Sequence, residues 1–264
     1  MELNNYPEEL RQWMDGKNWT VNDMGRSGAS VLIFDDAVLK IETDRIESEN
    51  EVAMMRWLQE RLNVPRCLFH KVKDGTSYTL MTRIGGQTAC DPLLMADPER
   101  LVGWLANALK RLWAVETAAC PSVRKLNTVL AEAERNVAAG LVDIEDAQPD
   151  TFGPEGFRDP QHLLDWLKAN RPQEDPVLSH GDFCLPNVLF NSGGEASFID
   201  IGRMGLADRW QDIALCYRSL VNNYGGMYGG MVYPDFCPDM LFEKLEMKPD
   251  RKKLRYYILL DELF

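Results

Sequence analysis

Two aspartates and an asparagine in the second half of the chain have the types and spacing for phosphoryl chemistry. The stretch "HGDFCLPNVLF" (180–190) places Asn187 five residues after Asp182, and Asp200 ends the apolar run "SFID" thirteen residues after Asn187. Amide and carboxylate oxygens are hard ligands that suit Mg²⁺. We therefore expect Asn187 and Asp200 to bind Mg²⁺, and Asp182 to orient a substrate hydroxyl and accept its proton.

Each of these residues also has an ordinary structural interpretation. "HGD" can be a tight turn with a capping aspartate, Asn187 can form an Asx turn after Pro186, and Asp200 can cap the end of a strand. The joint spacing favours the chemical interpretation over three separate coincidences. We expect His180 to brace the loop by a hydrogen bond rather than to act as a base.

A lysine and a glutamate near the N-terminus can supply a cation for phosphates. Lys40 lies in "AVLKIE", where alternation places it on the same face as Val38, and alone it could be a solvated edge position. Glu51 precedes Met55 and Leu62 at helical spacing, so it shares their apolar face. A buried carboxylate is costly unless it is paired. We therefore expect Glu51 to pair with Lys40, which positions the ammonium for nucleotide phosphates.

A Gly- and Ser-rich turn, "GRSGAS" (25–30), lies between two β-type runs ahead of Lys40. Such a turn can present backbone N–H groups and a hydroxyl to a phosphate, although most turns of this kind are only turns. No GKS or GKT follows, which disfavours the P-loop class.

The elements that position these residues divide the chain in two. Residues 1–84 contain β-type runs around one helix (44–62), with Asp74-Gly75 as a hairpin turn. Helical patterns then dominate, over 98–116, 126–142, 160–170, 209–223 and 254–264, with a short strand pair at 187–190 and 196–200. The prediction is an α+β fold with an N-terminal lobe (1–84), a hinge near 82–86 and a mainly helical C-terminal lobe (85–264). A ligand cleft between the lobes is expected.

The composition limits the partners. The 41 acidic and 29 basic side chains give a formal charge of −12, which argues against nucleic acid or an anionic membrane and suits a cationic ligand, although acidity often serves solubility alone. The six cysteines form no CxxC pair, which predicts free thiols in a reducing compartment. With no signal peptide and no apolar run long enough to span a membrane, we expect a cytoplasmic protein, monomeric or weakly dimeric.

Three motifs carry a family resemblance that covers the chain from Ser27 to Phe264. "HGDFCLPN", "FIDIGRMGLADRWQDIA" and the terminal "YYILLDELF" are similar to those of the aminoglycoside 3'-phosphotransferases, which are bacterial resistance enzymes. The resemblance implies a protein-kinase-like fold. It also implies transfer of the γ-phosphoryl group of ATP, or of GTP, to the 3'-hydroxyl of an aminoglycoside.

The resemblance also implies roles for individual residues. Lys40, paired with Glu51, contacts the α and β phosphates, Ser27 caps the β phosphate, and Asp182 is the catalytic aspartate. Asn187 and Asp200 bind Mg²⁺, and the backbone of the hinge meets the adenine through Arg83 and Ile84, after Thr82. The acceptor is bound by the acidic loop, by the arginine of "DIGR" and by the chain terminus: Asp146, Asp150, Arg203, Asp261, Glu262 and the carboxylate of Phe264.

Three departures concern the ligands. Val38 stands where the family often has an aromatic ring to stack on adenine, and Asn222 and Asn223 stand where relatives tend to carry acids. The Gly-, Tyr- and Met-rich segment 224–239 is either a remodelled substrate loop or a disordered insertion. Two other functions are considered: a kinase of another small hydroxylated metabolite or antibiotic, and a catalytically silent kinase-like binding module. The intact set of site residues disfavours the silent module, and "LLDELF" disfavours the metabolite kinase.

Overall fold

The computed structural model describes residues 6–22, 29–43 and 46–264. These residues form two compact units. One contains the described residues up to Gly85 together with Ser197–Gly202, and the other contains Gly86–Ala196 and Arg203–Phe264. The boundary lies at a glycine pair, where Gly86 has a φ of 126° and a Cβ atom would lie 2.8 Å from the carbonyl oxygen of Phe190.

The N-terminal unit is built on an antiparallel sheet of five strands in the order β1-β2-β3-β5-β4. The strands are β1 (Thr20–Asn22), β2 (Ser30–Ile33), β3 (Ala37–Thr43), β4 (Cys67–Lys73) and β5 (Thr76–Thr82). The predicted turn between β4 and β5 is confirmed, because Asp74 and Gly75 both have the positive φ that a type I′ hairpin turn requires.

Two helices complete this unit, α1 (Glu8–Met14) and α2 (Ile46–Leu58). Leu10 and Met14 of α1 pack with Leu32, Leu39 and Leu80 of the sheet in one buried cluster. α2 ends four residues before the predicted end at residue 62, and α1 was not predicted. With seven residues, α1 is too short for helical periodicity to stand out.

The C-terminal unit is mainly helical. Its helices are α3 (Pro92–Met95), α4 (Pro98–Trp113), α5 (Leu126–Ala139), α6 (Pro160–Ala169), α7 (Arg209–Tyr224), α8 (Met240–Leu245) and α9 (Arg251–Asp261). Its short strands are β6 (Gln87–Thr88), β7 (Pro176–Ser179), β8 (Val188–Phe190) and β10 (Gly205–Asp208), while β9 (Ala196–Phe198) begins here and ends in the segment that belongs to the N-terminal unit. β6 pairs with β8, and β7 pairs with β10.

Helix boundaries follow from capping residues. Aspartate side chains accept hydrogen bonds from backbone N–H groups at the starts of α4, α6, α7 and α9. Asp250 is the cap of α9, so this helix begins three residues before the predicted start, and it ends at Asp261 rather than at the terminus. The predicted helix over 126–142 ends at Ala139, because Gly140 adopts a left-handed conformation with a φ of 66°.

The segment 224–239 is packed by its aromatic residues. The ring of Tyr224 stacks on Phe236 with centroids 3.8 Å apart, and Tyr233 contacts the same ring edge-on. Met227, Tyr228, Met231 and Val232 are exposed. The segment is therefore not a disordered insertion.

Two further findings concern the cysteines and the lengths of the helices. All six cysteines are free thiols. Within the three described ranges, no helix has the length and apolar character needed to cross a lipid bilayer.

Candidate functional site

One lysine and three carboxylates form a charged cluster in the N-terminal unit. Lys40 Nζ lies 3.2 Å from Glu51 Oε2, 3.0 Å from Asp200 Oδ1 and 3.6 Å from Glu42 Oε2. The structure thus contains the expected pair of Lys40 with Glu51. Glu42 was not expected here, although it lies two residues after Lys40 on the same strand and therefore shares its face.

Burial makes this cluster electrostatically strong. Burial raises the pKa of Glu51 to about 7, against the opposing effect of Lys40. Burial alone would lower the pKa of Lys40, but the carboxylates of Glu51, Asp200 and Glu42 outweigh it and raise that pKa. Lys40 therefore keeps its positive charge at neutral pH and is held by more negative charge than it can neutralise.

The segment that carries Asp200 is fixed to α2 and to the residues after it. Asn50 donates a side-chain hydrogen bond of 2.8 Å to the carbonyl of Gly202, and the backbone N–H of Phe198 donates to the carbonyl of Asn63 at 2.9 Å. Asp200 itself has a φ of 55°, an uncommon backbone conformation for an aspartate. Half of its side-chain surface is exposed, so the carboxylate is accessible for ligand binding.

The predicted adenine-binding residues differ in what their backbone offers. The N–H of Thr82 donates to the carbonyl of Arg66, and the N–H of Arg83 donates to the carbonyl of Asp36, both at 2.9 Å. Within the described residues, the N–H of Ile84 makes no such bond, so Ile84 is the better candidate to contact a nucleobase. The predicted phosphate-capping residue Ser27 lies outside the described residues.

In the C-terminal unit, a buried carboxylate holds the loop that contains Asp182. Asp212 accepts hydrogen bonds from the backbone N–H of His180 (2.8 Å), the N–H of Gly181 (2.9 Å) and the hydroxyl of Ser179 (2.9 Å). Gly181 has a φ of 84°, and a Cβ atom there would lie 2.1 Å from the carbonyl oxygen of Arg203. A glycine is therefore required before the aspartate.

The side chain of Asp182 is held on both oxygens. Oδ2 accepts a 2.8 Å hydrogen bond from the amide nitrogen of Asn187, and Oδ1 accepts a 3.1 Å bond from the thiol of Cys184. Burial raises the pKa of Cys184 well above its usual value, so this thiol stays protonated. Asn187 uses its amide nitrogen on Asp182, which leaves the amide oxygen as the atom suited to bind a cation.

The residues predicted to hold Mg²⁺ have suitable chemistry. Asp200 offers an exposed carboxylate, and Asn187 offers an amide oxygen. Among the described residues, no three His, Cys, Asp or Glu side chains cluster as a metal site. Mg²⁺ is commonly bound by one or two protein ligands together with phosphate oxygens and water, so each of these oxygen atoms is of a type that suits this ion.

The carboxylates at the chain terminus are already paired with arginines. Arg218 donates to Asp261 Oδ2 at 2.5 Å and lies 3.6 Å from Glu262 Oε1, while Arg203 lies 3.5 Å from Asp261 Oδ1. The ring of Phe264 lies under the guanidinium of Arg203, at 5.1 Å. The structure thus brings together the predicted residues Arg203, Asp261, Glu262 and Phe264, and it adds Arg218, which the sequence analysis did not select.

The acidic loop is attached to the same end of α9. The second oxygen of Glu262 accepts a 3.1 Å hydrogen bond from the backbone N–H of Gln148. Both predicted loop residues, Asp146 and Asp150, are exposed, and Asp150 is in addition paired with Arg255 on α9, at 3.0 Å.

Besides Glu42, sequence reasoning missed three site residues: Asp212, Arg218 and Cys184. A signal for Asp212 was present, because it lies on the apolar side of α7 between Ile213 and Trp210, where an unpaired carboxylate would be costly. Arg218 pairs with residues that are distant in the sequence, and the thiol of Cys184 is a weak hydrogen-bond donor. No local pattern in the sequence therefore marks either residue.

Comparison with known proteins places the chain among phosphotransferases. A profile of the phosphotransferase enzyme family matches residues 19–244. An aminoglycoside 3'-phosphotransferase from Enterococcus faecalis is 35% identical over 91% of this chain and 87% of its own length. The crystal structure of an aminoglycoside 3'-phosphotransferase of type VIII superposes with a TM-score of 0.82 and 27% identity, over 97% of both chains.

A more distant structure has the same fold. An aminoglycoside phosphotransferase from Streptomyces rimosus, solved in complex with ADP and streptomycin, matches with a TM-score of 0.77 and 22% identity, over 96% of this chain and 95% of its own.

Proposed function

The chain belongs to the aminoglycoside 3'-phosphotransferases, and from this premise we propose how its residues transfer the γ-phosphoryl group of ATP to the 3'-hydroxyl of an aminoglycoside. The enzyme is a kinase that uses a nucleotide as co-substrate and an alcohol as acceptor. Its reaction confers resistance to aminoglycoside antibiotics.

Lys40 is the proposed cation for the α and β phosphates. Its ammonium group is held by Glu51 and by Glu42, so it has a fixed position and a permanent charge before a nucleotide binds. Asp200 is the carboxylate of this cluster that Lys40 can share with a ligand, because it is the exposed one. Ser27, Arg83 and Ile84 are proposed to contact the β phosphate and the adenine, and GTP remains the alternative donor.

Asp182 is the proposed catalytic residue. It orients the acceptor hydroxyl and accepts its proton, while the loop bonds to Asp212 keep the carboxylate in place. Asn187 and Asp200 are proposed to hold Mg²⁺, which neutralises charge on the phosphates when it is bound. Because phosphoryl transfer relies on positioning and electrostatics, such rigid mounting is the main contribution that these side chains make.

The acceptor is proposed to bind at the end of α9. Asp261, Glu262 and the carboxylate of Phe264 supply negative charge, with Arg203 beside them and Asp146 and Asp150 on the acidic loop. Several ammonium groups on one ligand require several carboxylates, and charge-assisted hydrogen bonds are about twice as strong as neutral ones.

The observation that carries the proposal is the geometry at Asp182. Its carboxylate is bonded to Asn187, five residues on, in a loop fixed by three hydrogen bonds to one buried aspartate. A capping aspartate in an ordinary turn needs none of this support.

A coupled assay of nucleoside diphosphate release tests the proposal. A panel of aminoglycosides is assayed with ATP and with GTP, and the phosphate position in each product is mapped by NMR. We expect turnover with acceptors that carry a 3'-hydroxyl and binding without 3'-phosphorylation for the matched 3'-deoxy compounds. Turnover of the 3'-deoxy compounds at another position would assign a different regiochemistry. Nucleotide binding without turnover of any acceptor would favour a binding module.

We further propose that the protein works in the cytoplasm as a monomer or weak dimer, without nucleic acid or membrane partners. The formal charge of −12 supports the absence of nucleic acid and membrane partners, because phosphate-rich partners need basic surfaces. Sedimentation velocity over a range of concentrations tests the oligomeric state.

A further inference from the structure

The two carboxylates at the end of α9 are both engaged by one arginine of α7. Arg218 directs one arm of its guanidinium to Asp261, at 2.5 Å, and the other arm to Glu262, at 3.6 Å. The side chains of Arg218 and Asp261 are each only 17% exposed, and that of Glu262 is 5% exposed. The group is therefore a partly buried ion cluster and not a mobile surface pair.

The arginine therefore occupies carboxylates that an ammonium group of the acceptor would need. Arg203 adds a second guanidinium at 3.5 Å from Asp261, so Asp261 is paired with two arginines. Burial alone would lower the pKa of Arg218, but Asp261 outweighs it and raises that pKa, so the arginine stays charged. An incoming ammonium group consequently meets carboxyl groups that are already paired with an arginine.

The neighbours of Arg218 on α7 offer no charge with which its guanidinium could pair. Ser219 follows Arg218 directly, Asn222 and Asn223 lie on the next turn of the helix, and none of the three carries a charge. Ser219 accepts from the backbone N–H of Leu185, and Asn223 bonds back to the carbonyl of Ser219. Within the described part of the chain, the ion-pair partners of Arg218 are Asp261 and Glu262.

We infer that Arg218 is a specificity-determining residue of the acceptor site, because its guanidinium occupies the carboxylates of Asp261 and Glu262 in place of an ammonium group of the acceptor. The inference rests on the proposed function, which assigns these carboxylates to the acceptor. To bind there, an ammonium group must displace Arg218 or share its partners. Arg218 thus weakens binding of the most highly charged acceptors. It thereby reduces the difference in affinity between these acceptors and less charged ones.

Replacing Arg218 tests this inference in a graded way. Arg218→Gln removes the charge, and Arg218→Lys keeps the charge but loses the two-armed geometry that matches carboxylates. We expect the acceptor KM to decrease from the parent to the Lys variant and again to the Gln variant. For the Gln variant we expect a decrease of about fivefold, because one positive charge that opposes the acceptor is removed. The nucleotide KM stays unchanged. Arg209→Gln is the matched control, because it removes another ion-paired arginine of α7, one that pairs with Asp175.

The charge on the acceptor provides the second readout. The same variants are assayed with derivatives of one aminoglycoside, each acetylated on a single amino group. For at least one derivative, Arg218→Gln should have the same KM as the parent, because this derivative lacks the ammonium group that competes with Arg218. A gain of equal size for every derivative would contradict the inference.

Other outcomes overturn the inference directly. A higher acceptor KM in both Arg218 variants would mean that Arg218 binds the acceptor or holds Asp261 in place, and an unchanged KM would mean that occupancy has no effect. If Arg218→Gln fails to fold in a thermal unfolding experiment, the Lys variant alone must lower the KM.

Calorimetric titration of the acceptor without nucleotide separates this inference from the proposed reaction. The same order of variants is expected in Kd, which does not depend on turnover. If the order holds while no acceptor is phosphorylated, the proposed reaction fails and the role of Arg218 stands. If the parent enzyme is active but the variants do not show this order of Kd, the role of Arg218 is refuted and the proposed reaction stands.

Discussion

At the level of single residues, one contact was predictable from residue types and spacing. Lys40 and Glu51 form the pair that was expected from a carboxylate on an apolar helix face. The hydrogen bond between Asn187 and Asp182 was not predicted. The pairing of the terminal carboxylates was not predictable from the sequence. Asp261 and Glu262 were expected to bind the acceptor, but their arginine partner lies 43 and 44 residues earlier, on another helix.

Replacing Asp182 tests the assignment of the catalytic residue. Asp182→Ala should abolish turnover and leave nucleotide binding nearly intact, because the contacts that the structure gives Asp182 are to its own loop. Asp200→Ala is the comparison variant and should also weaken Mg-nucleotide binding, because it removes a carboxylate beside Lys40. Single-turnover kinetics and nucleotide titration measure the two effects. Activity of Asp182→Ala within a few-fold of the parent would refute the assignment.

Glu262 should make stability depend on pH. Burial raises its pKa from 4.5 to about 7, so the folded protein binds a proton that the unfolded chain has released between these values. The contribution of this group to stability is therefore complete below about pH 4.5 and is lost as the pH rises through about 7. Glu262→Gln should flatten this decline by up to about 3 kcal/mol, measured by denaturant unfolding at several pH values. A decline of equal slope in both proteins would refute the assignment.

At the scale of helices and strands, the amphipathic patterns located the long elements, and local caps decided where they end. The β4–β5 hairpin was predictable because its turn residues are unambiguous. The short strands β6, β7 and β10 were not, because two to four residues carry too little periodicity. The end of α5 was missed because the sequence after Gly140 continues with apolar residues.

Gly140 offers a clean test of this capping. Gly140→Ala should destabilise the protein by about 1 kcal/mol, because a side chain disfavours the left-handed conformation and no atom lies near the new Cβ to compensate. Gly103→Ala is the control, since this glycine also has open space but lies inside α4, where alanine should stabilise by roughly 0.5–1 kcal/mol. Chemical denaturation measures both. The same sign for both variants would contradict the capping argument.

Removing the last four residues tests the role of the α9 terminus. The truncation deletes Asp261, Glu262 and the terminal carboxylate, and it leaves Arg203 and Arg218 without these partners. We expect the acceptor KM to rise about tenfold or more, equivalent to at least about 1.4 kcal/mol, with little change in the nucleotide KM.

Circular dichroism must show that the truncated protein is folded, because Asn136 also binds the carbonyl of Leu263. Deleting Phe264 alone serves as the milder control. An unchanged acceptor KM in a folded truncation would remove this segment from the acceptor site.

At the scale of the whole molecule, net charge predicts how the acceptor KM responds to salt. A protein of formal charge −12 attracts a polycation over a distance that the Debye length limits. Raising KCl from about 0.05 M to about 0.5 M shortens that length severalfold and should raise the acceptor KM several-fold. A mono-amino acceptor is the control and should respond less. Equal responses would mean that contacts, and not the overall field, determine binding.

The path of the chain has a consequence for engineering. Ser197–Gly202 belongs to the N-terminal unit, although more than a hundred residues separate it from Gly85. A gene cut after codon 85 therefore yields a first fragment that carries Lys40 without Asp200. As a split selection marker, such a break should give two inactive fragments and little background. Recombination at a single crossover there would exchange an incomplete module, so swapping the nucleotide-side unit between relatives requires a second graft at 197–202.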